Sequence, residues 1–302
     1  MSAETVVISG ASAGVGRATA RAFAKRGARL GLIARGSNGW NAAVAEAIAA
    51  GAQACALPAD VADAVAVENA AALVESEFGP IDIWINCAMA TIFAPVHEIT
   101  PDEFRRATEV TYLGYVYGTM AALKRMRACN RGTIVQVGSA LAYRAIPLQS
   151  PYCGAKFAIR GFTDSLRSEL LHEHSRMHVT MVQLPAINTP QFDWARNKLP
   201  YRPRPLSPIF EPQVAAEAIV YAAHARRREV RVGAPTVAAI LANKLAPGLL
   251  DRFLARRGYT GQLSREAADP AQPDNLFEPL VDDHGASGRF SAQARSFAAH
   301  WF

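Results

Sequence analysis

Cysteine is scarce. The chain carries four, Cys55, Cys87, Cys129 and Cys153, far apart in sequence. No two stand at the spacing of a metal-binding or redox pair, which excludes a disulfide scaffold and a cysteine-held zinc site. Reduced, structural thiols in a cytoplasmic protein are the expectation. Charge is also sparse: 19% of the residues are Asp, Glu, Lys or Arg, too few for a chain dominated by disordered tails. Long apolar runs are missing. The segment from Thr236 to Leu250 comes nearest to one and is interrupted by Asn243, Lys244 and Pro247, so no membrane span is expected. A strand-like run is under way by Val6, leaving no room for a signal peptide. The net charge of +6 is modest, and Arg226-Arg227-Arg228 and the Arg202/Arg204 pair lack the aromatic interleaving of a nucleic-acid surface. His172, His174 and His178 have no ligand motif and read as a polar helix end, so no metal is expected.

What is present is apolar material, half of the 302 residues, arranged as short runs between helical patterns. Strands are predicted at Thr5–Ser9, Arg29–Ala34, Ala54–Leu57, Ile81–Asn86, Thr133–Gly138, Val179–Leu184 and Val230–Val232. Helices are predicted at Gly14–Arg26, Asn41–Ala50, Val65–Phe78, Pro101–Met126 (one helix or two joined, with Thr100 and Glu103 as its capping pair) and Pro151–His172. The strand runs are continuous rather than alternating, which indicates a sheet buried on both faces. Strand–helix repetition indicates parallel pairing with right-handed crossovers. The expected architecture is α/β, a doubly wound parallel sheet of about seven strands (a Rossmann fold), with its ligand at the carboxyl ends of the strands.

The first strand runs into Gly10-Ala11-Ser12-Ala13-Gly14-Val15-Gly16, and a helix follows. Glycine allows a tight turn and close approach to a pyrophosphate, and the helix N-terminus offers free N–H groups. Three glycines alone could be a tight turn; their place after the first strand and before the first helix points to dinucleotide binding. An acid at the end of the second strand would bind ribose hydroxyls and repel a 2′-phosphate. Here Ala34 takes that place and Arg35 follows. Arginine pairs with phosphate in a bidentate manner, and Ser12 and Ser37 could add hydrogen bonds, so NADP(H) is preferred over NAD(H).

Tyr152 and Lys156 lie four apart at the start of a predicted helix and so share a face. A free tyrosine, with a pKa of about 10, is a poor base near neutrality. A nearby ammonium stabilises the phenolate, and the tuned phenol can then exchange a proton with an alcohol or alkoxide. Ser139, at the end of the fifth strand, could hold the substrate oxygen. A Tyr-x-x-x-Lys pair by itself is weak; with the glycine loop, the strand-end serine and this chain order it carries weight.

Together these residues resemble the short-chain dehydrogenase/reductase family, in its compact oxidoreductase branch. The spacing Gly10…Gly14-x-Gly16 is similar to that branch. Asp60-Val61 resembles the family's adenine-side pair, Asn86-Cys87-Ala88 its fourth-strand Asn-Asn-Ala-Gly element, and Pro185-Ala186-Ile187-Asn188-Thr189 its Pro-Gly-x-x-Thr stretch beside the nicotinamide. The similarity spans roughly residues 4–235. It implies hydride transfer at the nicotinamide, with Tyr152 as acid/base, Lys156 also on the nicotinamide ribose, and Ser139 orienting the substrate. It implies a cofactor site including Gly10, Ser12, Ala13, Gly14, Val15, Gly16, Arg35, Asp60, Val61, Asn86, Ala88, Tyr152, Lys156, Pro185, Ile187 and Thr189. Three positions depart from the family pattern. Met89 and Ala186 replace glycines, and Thr111 stands where the family has an asparagine whose main-chain carbonyl holds a relay water. Threonine keeps the carbonyl, but the helix kink there could differ.

Two segments break the strand–helix rhythm. Thr189–Pro212 is a proline-rich stretch with Phe192, Trp194, Tyr201 and Phe210, read as a substrate loop over an apolar or bulky substrate; packing onto the domain is its plainer reading. After residue 235 a helical stretch, Thr236–Arg257, gives way to a turn-rich tail. The division expected is 1–235 for the NADP(H)-binding oxidoreductase domain and 236–302 for an extension packing on it or on a neighbouring subunit. Membrane contact through that extension is the secondary reading, with Arg252, Arg256 and Arg257 near headgroups. The leading function is an NADP(H)-dependent alcohol/carbonyl oxidoreductase, a homodimer or homotetramer by resemblance; the alternative is a non-catalytic dinucleotide-binding regulator or redox sensor.

Overall fold

The apolar runs form one sheet with helices on both faces. The computed structural model describes residues 3–301, apart from the side chain of Ser37; the hydrogen bond suggested for Ser37 lies outside the described residues. Strands β1 (Thr5–Ser9), β2 (Arg29–Ala34), β3 (Gln53–Pro58), β4 (Ile83–Asn86), β5 (Thr133–Ser139), β6 (His178–Leu184) and β7 (Glu229–Val232) alternate with helices. The helices are α1 (Gly14–Ala24), α2 (Ser37–Ala49), α3 (Ala64–Phe78), α4 (Pro101–Thr108), α5 (Gly114–Cys129), α6 (Ser150–His172) and α7 (Pro212–His224). The strands lie in the order β7-β6-β5-β4-β1-β2-β3, with all these neighbours parallel. All of β1 and β4 is buried, which is why their sequences carry no polar alternation. β1 touches both β2 and β4, so the winding reverses there and a crevice opens at the carboxyl ends.

Local chemistry sets the helix ends. The Asp63 carboxylate accepts from the N–H groups of Val65 and Ala66 and starts α3. Thr100 and Glu103 form the expected capping box at α4. α1 meets α7 through alanines, among them Ala18, Ala22 and Ala216, whose small side chains let the helices close.

The structure refines the sequence reading at four places. The stretch predicted as Pro101–Met126 is two helices joined by a π-helical turn, Glu109–Leu113, which contains Thr111. The stretch 189–212 is not a free loop. Arg196–Asn197 pairs with Ile92–Phe93, Tyr201–Pro203 with Leu263–Ala267, and Ile209–Phe210 with Ala186–Ile187 and Ala294–Arg295. The helix expected over Thr236–Arg257 is α8 (Ala234–Leu245) and α9 (Pro247–Phe253), followed by a π-helical turn, Leu254–Gly258. The break falls at Ala246, the residue before Pro247, where proline disfavours helical backbone. Finally, the sheet has eight strands. β8 (His300–Trp301) pairs antiparallel with β7 and covers that edge.

After Leu263–Ala267 the chain returns across the carboxyl ends of the strands. Leu276 is fully buried among the side chains packed between α3 and the sheet. Arg17 of α1 is also buried, and its guanidinium binds Glu46 at 2.8 Å, Asp283 at 3.1 Å and the carbonyls of Ser12 and Gly39. Phe290 meets Phe192 edge-on at 5.8 Å between centroids.

Glu103 does more than cap. Its carboxylate, 7% exposed, accepts from Arg196 at 3.0 Å and Lys198 at 2.7 Å and so ties α4 to the stretch after β6. Burial pushes its pKa up, but the bonds from Lys198, the Thr100 N–H and Arg196 outweigh that and hold it at about 2, against an ordinary 4.5. A carboxyl held low stabilises the fold fully above its unfolded value, and that stability is lost as pH falls through the folded one. Glu103→Gln is therefore expected to cost about 1–3 kcal/mol at neutral pH. Measured by denaturant unfolding, the difference from wild type should shrink as pH falls from 4.5 towards 2; a difference constant across that window would contradict the pairing.

Candidate active site

A cavity of about 660 Å³ lies over the carboxyl ends of the strands, lined by the residues that follow β1, β2, β4, β5 and β6. The glycine loop forms one wall. Gly10 has φ +71°, and a Cβ there would sit 2.7 Å from Ala88 Cα; a Cβ on Gly16 would sit 2.1 Å from the Gly10 carbonyl oxygen. Any side chain at either position would push the loop away from the strand ends. Gly10, Ser12, Ala13, Gly14, Val15 and Gly16 all line the cavity, as do Arg35, Asp60, Val61, Ala88, Pro185, Ile187 and Thr189. The result is an elongated cleft with a helix N-terminus at its middle, a cradle that suits a dinucleotide. Arg35 stands at its far end. Its guanidinium donates to the carbonyls of Phe277 at 2.9 Å and Asn275 at 2.5 Å, with the Asp60 carboxylate 4.0 Å away. The Gly14 N–H donates to the Gly285 carbonyl at 3.1 Å. The returning chain thus borders the cleft from Arg35 to the glycine loop.

Ser139, Tyr152 and Lys156 converge at the other end. Ser139 is the last residue of β5, while Tyr152 and Lys156 occupy the first turns of α6. All three line the cavity. Lys156 is 2% exposed; its ammonium donates to the Val137 carbonyl at 2.7 Å and the Tyr115 hydroxyl at 3.0 Å, and stands 5.4 Å from the centre of the Tyr152 ring. Burial disfavours charge on both groups. It pushes the Tyr152 phenol well above its ordinary 10, with hydrogen bonding from Ser139 pulling the other way. It draws Lys156 down from 10.5 to about 8, partly countered by Cys87.

Two of the residues expected at the catalytic and cofactor site, Asn86 and Thr111, do not line the cavity. The polar atoms of the Asn86 side chain are used within the fold: its carbonyl accepts from Trp84 Nε1, and its amide donates to the Tyr115 carbonyl, Thr119 and Gln136. Its side chain braces β4 against α5 and β5, so the cofactor contact expected of Asn86 is not made by these atoms here. Thr111 is buried, and its hydroxyl both accepts from the Ala90 N–H and donates to the Ala90 carbonyl. It fastens the chain after β4 to the π-helical turn. A residue not anticipated is Tyr115, 1% exposed, whose hydroxyl donates to the Val137 carbonyl at 2.9 Å while receiving the Lys156 bond. Its only sequence signal was an aromatic four residues after Thr111.

Beyond Tyr152 the cavity widens into a chamber walled by Leu141, Ile146, Leu206, Ala239, Leu250 and Leu254. Gln149 and Gln262, bonded to each other at 2.6 Å, and Arg144 are its polar points. Phe192 lines the cavity and Trp194 lines it at the Arg35 end, beside Ser12 and Asn275, whereas Phe210 packs in the main core and Tyr201 is exposed. His97 is exposed and lies away from it.

Residues 4–199 match the family described as short chain dehydrogenase. Over 277 residues, 91% of this chain and 78% of its counterpart, the sequence is 32% identical to "Uncharacterized oxidoreductase YxnA" of Bacillus subtilis. It is 29% identical over 223 residues to "3-dehydrosphinganine reductase" of Danio rerio, covering 71% of this chain and 67% of that protein. It is 35% identical over 167 residues to "17-beta-hydroxysteroid dehydrogenase 13" of Rattus norvegicus, covering 55% and 56%.

The buried ammonium has a measurable consequence. A lysine drawn down in the folded state costs stability while both states are charged, and the cost is relieved as pH rises from the folded value to the unfolded one. In the cofactor-free protein the stability of wild type relative to Lys156→Met should rise between pH 8 and 10.5, by on the order of a few kcal/mol. Thermal melts across that range read it; parallel profiles would show that Lys156 is not strained by burial.

Proposed function

The chain belongs to the short-chain dehydrogenase family, a nicotinamide-dependent oxidoreductase acting on alcohol or carbonyl groups, and we propose that it uses NADP(H), takes a bulky apolar substrate and employs Tyr152 as acid/base. The observation that carries this reading is the convergence of Ser139, Tyr152 and Lys156 between the dinucleotide cleft and an apolar chamber. A bound nicotinamide would supply or accept the hydride. Ser139 holds the substrate oxygen beside the Tyr152 hydroxyl. Burial keeps the Tyr152 phenol protonated near neutral pH, so it holds a proton to give to a developing alkoxide, but it also weakens the phenol as an acid, so the phenolate needs a cation beside it. The Lys156 ammonium would stabilise the phenolate left behind, and it is the residue that would hold the nicotinamide ribose hydroxyls when the dinucleotide is bound. Val137 and Tyr115 keep its Nζ pointed at the ring. The apolar walls exclude water, which strengthens these interactions.

The preference for NADP(H) rests on Ala34 and Arg35. No acid ends β2 to repel a 2′-phosphate, and Arg35 lines the cleft. Its present acceptors are two neutral carbonyls. A phosphate makes the stronger, charge-assisted bond and would compete well for the same fork. The large apolar chamber supports a bulky substrate, and the sphingoid and steroid names of two relatives agree with that size class.

Turnover of a carbonyl panel with NADPH tests the chemistry. Large apolar carbonyls should be reduced faster than short polar ones. Tyr152→Phe should lower turnover by about 10²–10⁴-fold with dinucleotide affinity retained. Retained turnover would favour a different acid; no turnover of any compound by either protein, with intact dinucleotide binding, would favour the regulator or sensor reading. Cofactor choice is tested apart. Arg35→Ala should weaken NADPH binding on the order of 10- to 100-fold relative to NADH, and an unchanged ratio would remove Arg35 from the discrimination.

A further inference from the structure

We propose that the outer face of α8 and α9 docks on an anionic phospholipid surface, with the mouth of the substrate chamber opening onto it. The two helices bury almost nothing: Thr236 alone in α8 and no residue in α9. Yet they are apolar. Leu241, Leu245, Leu249 and Phe253 recur at every fourth position and expose 51%, 84%, 66% and 57% of their surfaces. One exposed leucine is ordinary; four large apolar side chains along one short segment make a patch that water alone does not favour.

The charges around the patch indicate what covers it. Lys244, Arg252, Arg256 and Arg257 are exposed, with no ion-pair partner among the described residues. The one carboxylate of the two helices, Asp251, is already paired with Arg144 at 2.5 Å. The segment therefore presents hydrocarbon and unpaired cations together. A second copy of the chain would bury the leucines but set these cations against four more of the same sign. An anionic lipid interface satisfies both, taking the apolar side chains into the acyl boundary and placing the guanidinium groups among phosphates. Among the described residues no helix is long and apolar enough to cross a membrane, so the attachment is at the surface.

The same helices wall the chamber. Ala238, Ala239, Ala242 and Leu250 line it from within, and Phe253 both lines it and is exposed, marking the mouth. A docked protein would admit a lipid-dissolved substrate to Tyr152 without a passage through water. That delivery rests on the function proposed above; the docking does not, and its test needs no substrate.

The full chain is sedimented with vesicles of phosphatidylcholine alone and of phosphatidylcholine mixed with phosphatidylglycerol. Binding is expected to the mixed vesicles, weakened by salt. Leu245→Glu/Leu249→Glu and Arg252→Glu/Arg256→Glu should each lower the bound fraction by about tenfold or more. Dinucleotide binding and circular dichroism should stay at wild-type levels, since these side chains are exposed. No binding to mixed vesicles, or equal binding by the variants, overturns the proposal. So does loss of self-association, rather than of vesicle binding, in the leucine variant, which would make the face a contact between copies.

Discussion

The cleft depends on how closely the chain after β1 can lie against the chain after β4. Two glycines permit it, since a Cβ at Gly10 would collide with Ala88 and one at Gly16 with the Gly10 carbonyl. Ser9 locks the approach, its hydroxyl accepting from the N–H groups of Cys87 and Ala88. Once the two strand ends are joined, α1 can only begin with its N–H groups facing the crevice. The strand-end carbonyl that holds Lys156, Val137, lies one strand further along the same sheet, so both halves of the site are registered to the same parallel ladder. Met89 lines the cleft where the family carries glycine, and it does so without disturbing this contact because it follows the point of closest approach.

A second constraint is the cost of leaving guanidinium groups unpaired inside a protein. Arginine cannot shed its charge, so a buried one must find acceptors. Arg35 lines the cleft while Arg17 and Arg106 lie behind its wall, and each finds part of its complement in the returning chain. Arg17 takes Asp283, Arg35 takes the Asn275 and Phe277 carbonyls, and Arg106 takes the Leu276 carbonyl as well as Asp60. The returning segment owes its course to these cations as much as to the burial of Leu276. The same groups that shape the dinucleotide end also fasten the chain that borders it.

Most of the sheet was legible because its signal is local. A strand buried on both faces writes itself as an unbroken apolar run, as at β1 and β4, and the turn chemistry of Gly10–Gly16 and the Thr100–Glu103 box each lies within a few residues. Ser139, Tyr152 and Lys156 were legible because order and spacing along the chain survive folding. What could not be read depends on distant partners. The strands at residues 196–210 and at 300–301 are two or three residues long, so no periodicity can develop, and they exist only because an edge awaits them. Asn86 has the right neighbours in sequence for a cofactor contact, but Trp84, Thr119 and Gln136 claim its side chain. Tyr115 gave only a weak sign, its place four residues after Thr111, since a buried aromatic on a helix usually means packing alone.

The division between these two kinds of residue follows the chemistry. The residues proposed for proton exchange and dinucleotide binding lie within the stretch that matches the family, 4–199. Much of the outer chamber is built from residues beyond it: Leu206 and Pro208, Ala238, Ala239 and Ala242, Leu250, Phe253 and Leu254, and Gln262. A proton donor must meet its substrate oxygen at hydrogen-bond distance, so its position tolerates little change. A wall that only excludes water and accommodates hydrocarbon can be made from any apolar surface of sufficient extent. Reaction type is accordingly written in spaced motifs, while substrate size is written in the packing of α8, α9 and the stretch after β6. That is why the reaction could be read from the chain before its fold was known, and why the substrate has to be read from the shape of the chamber.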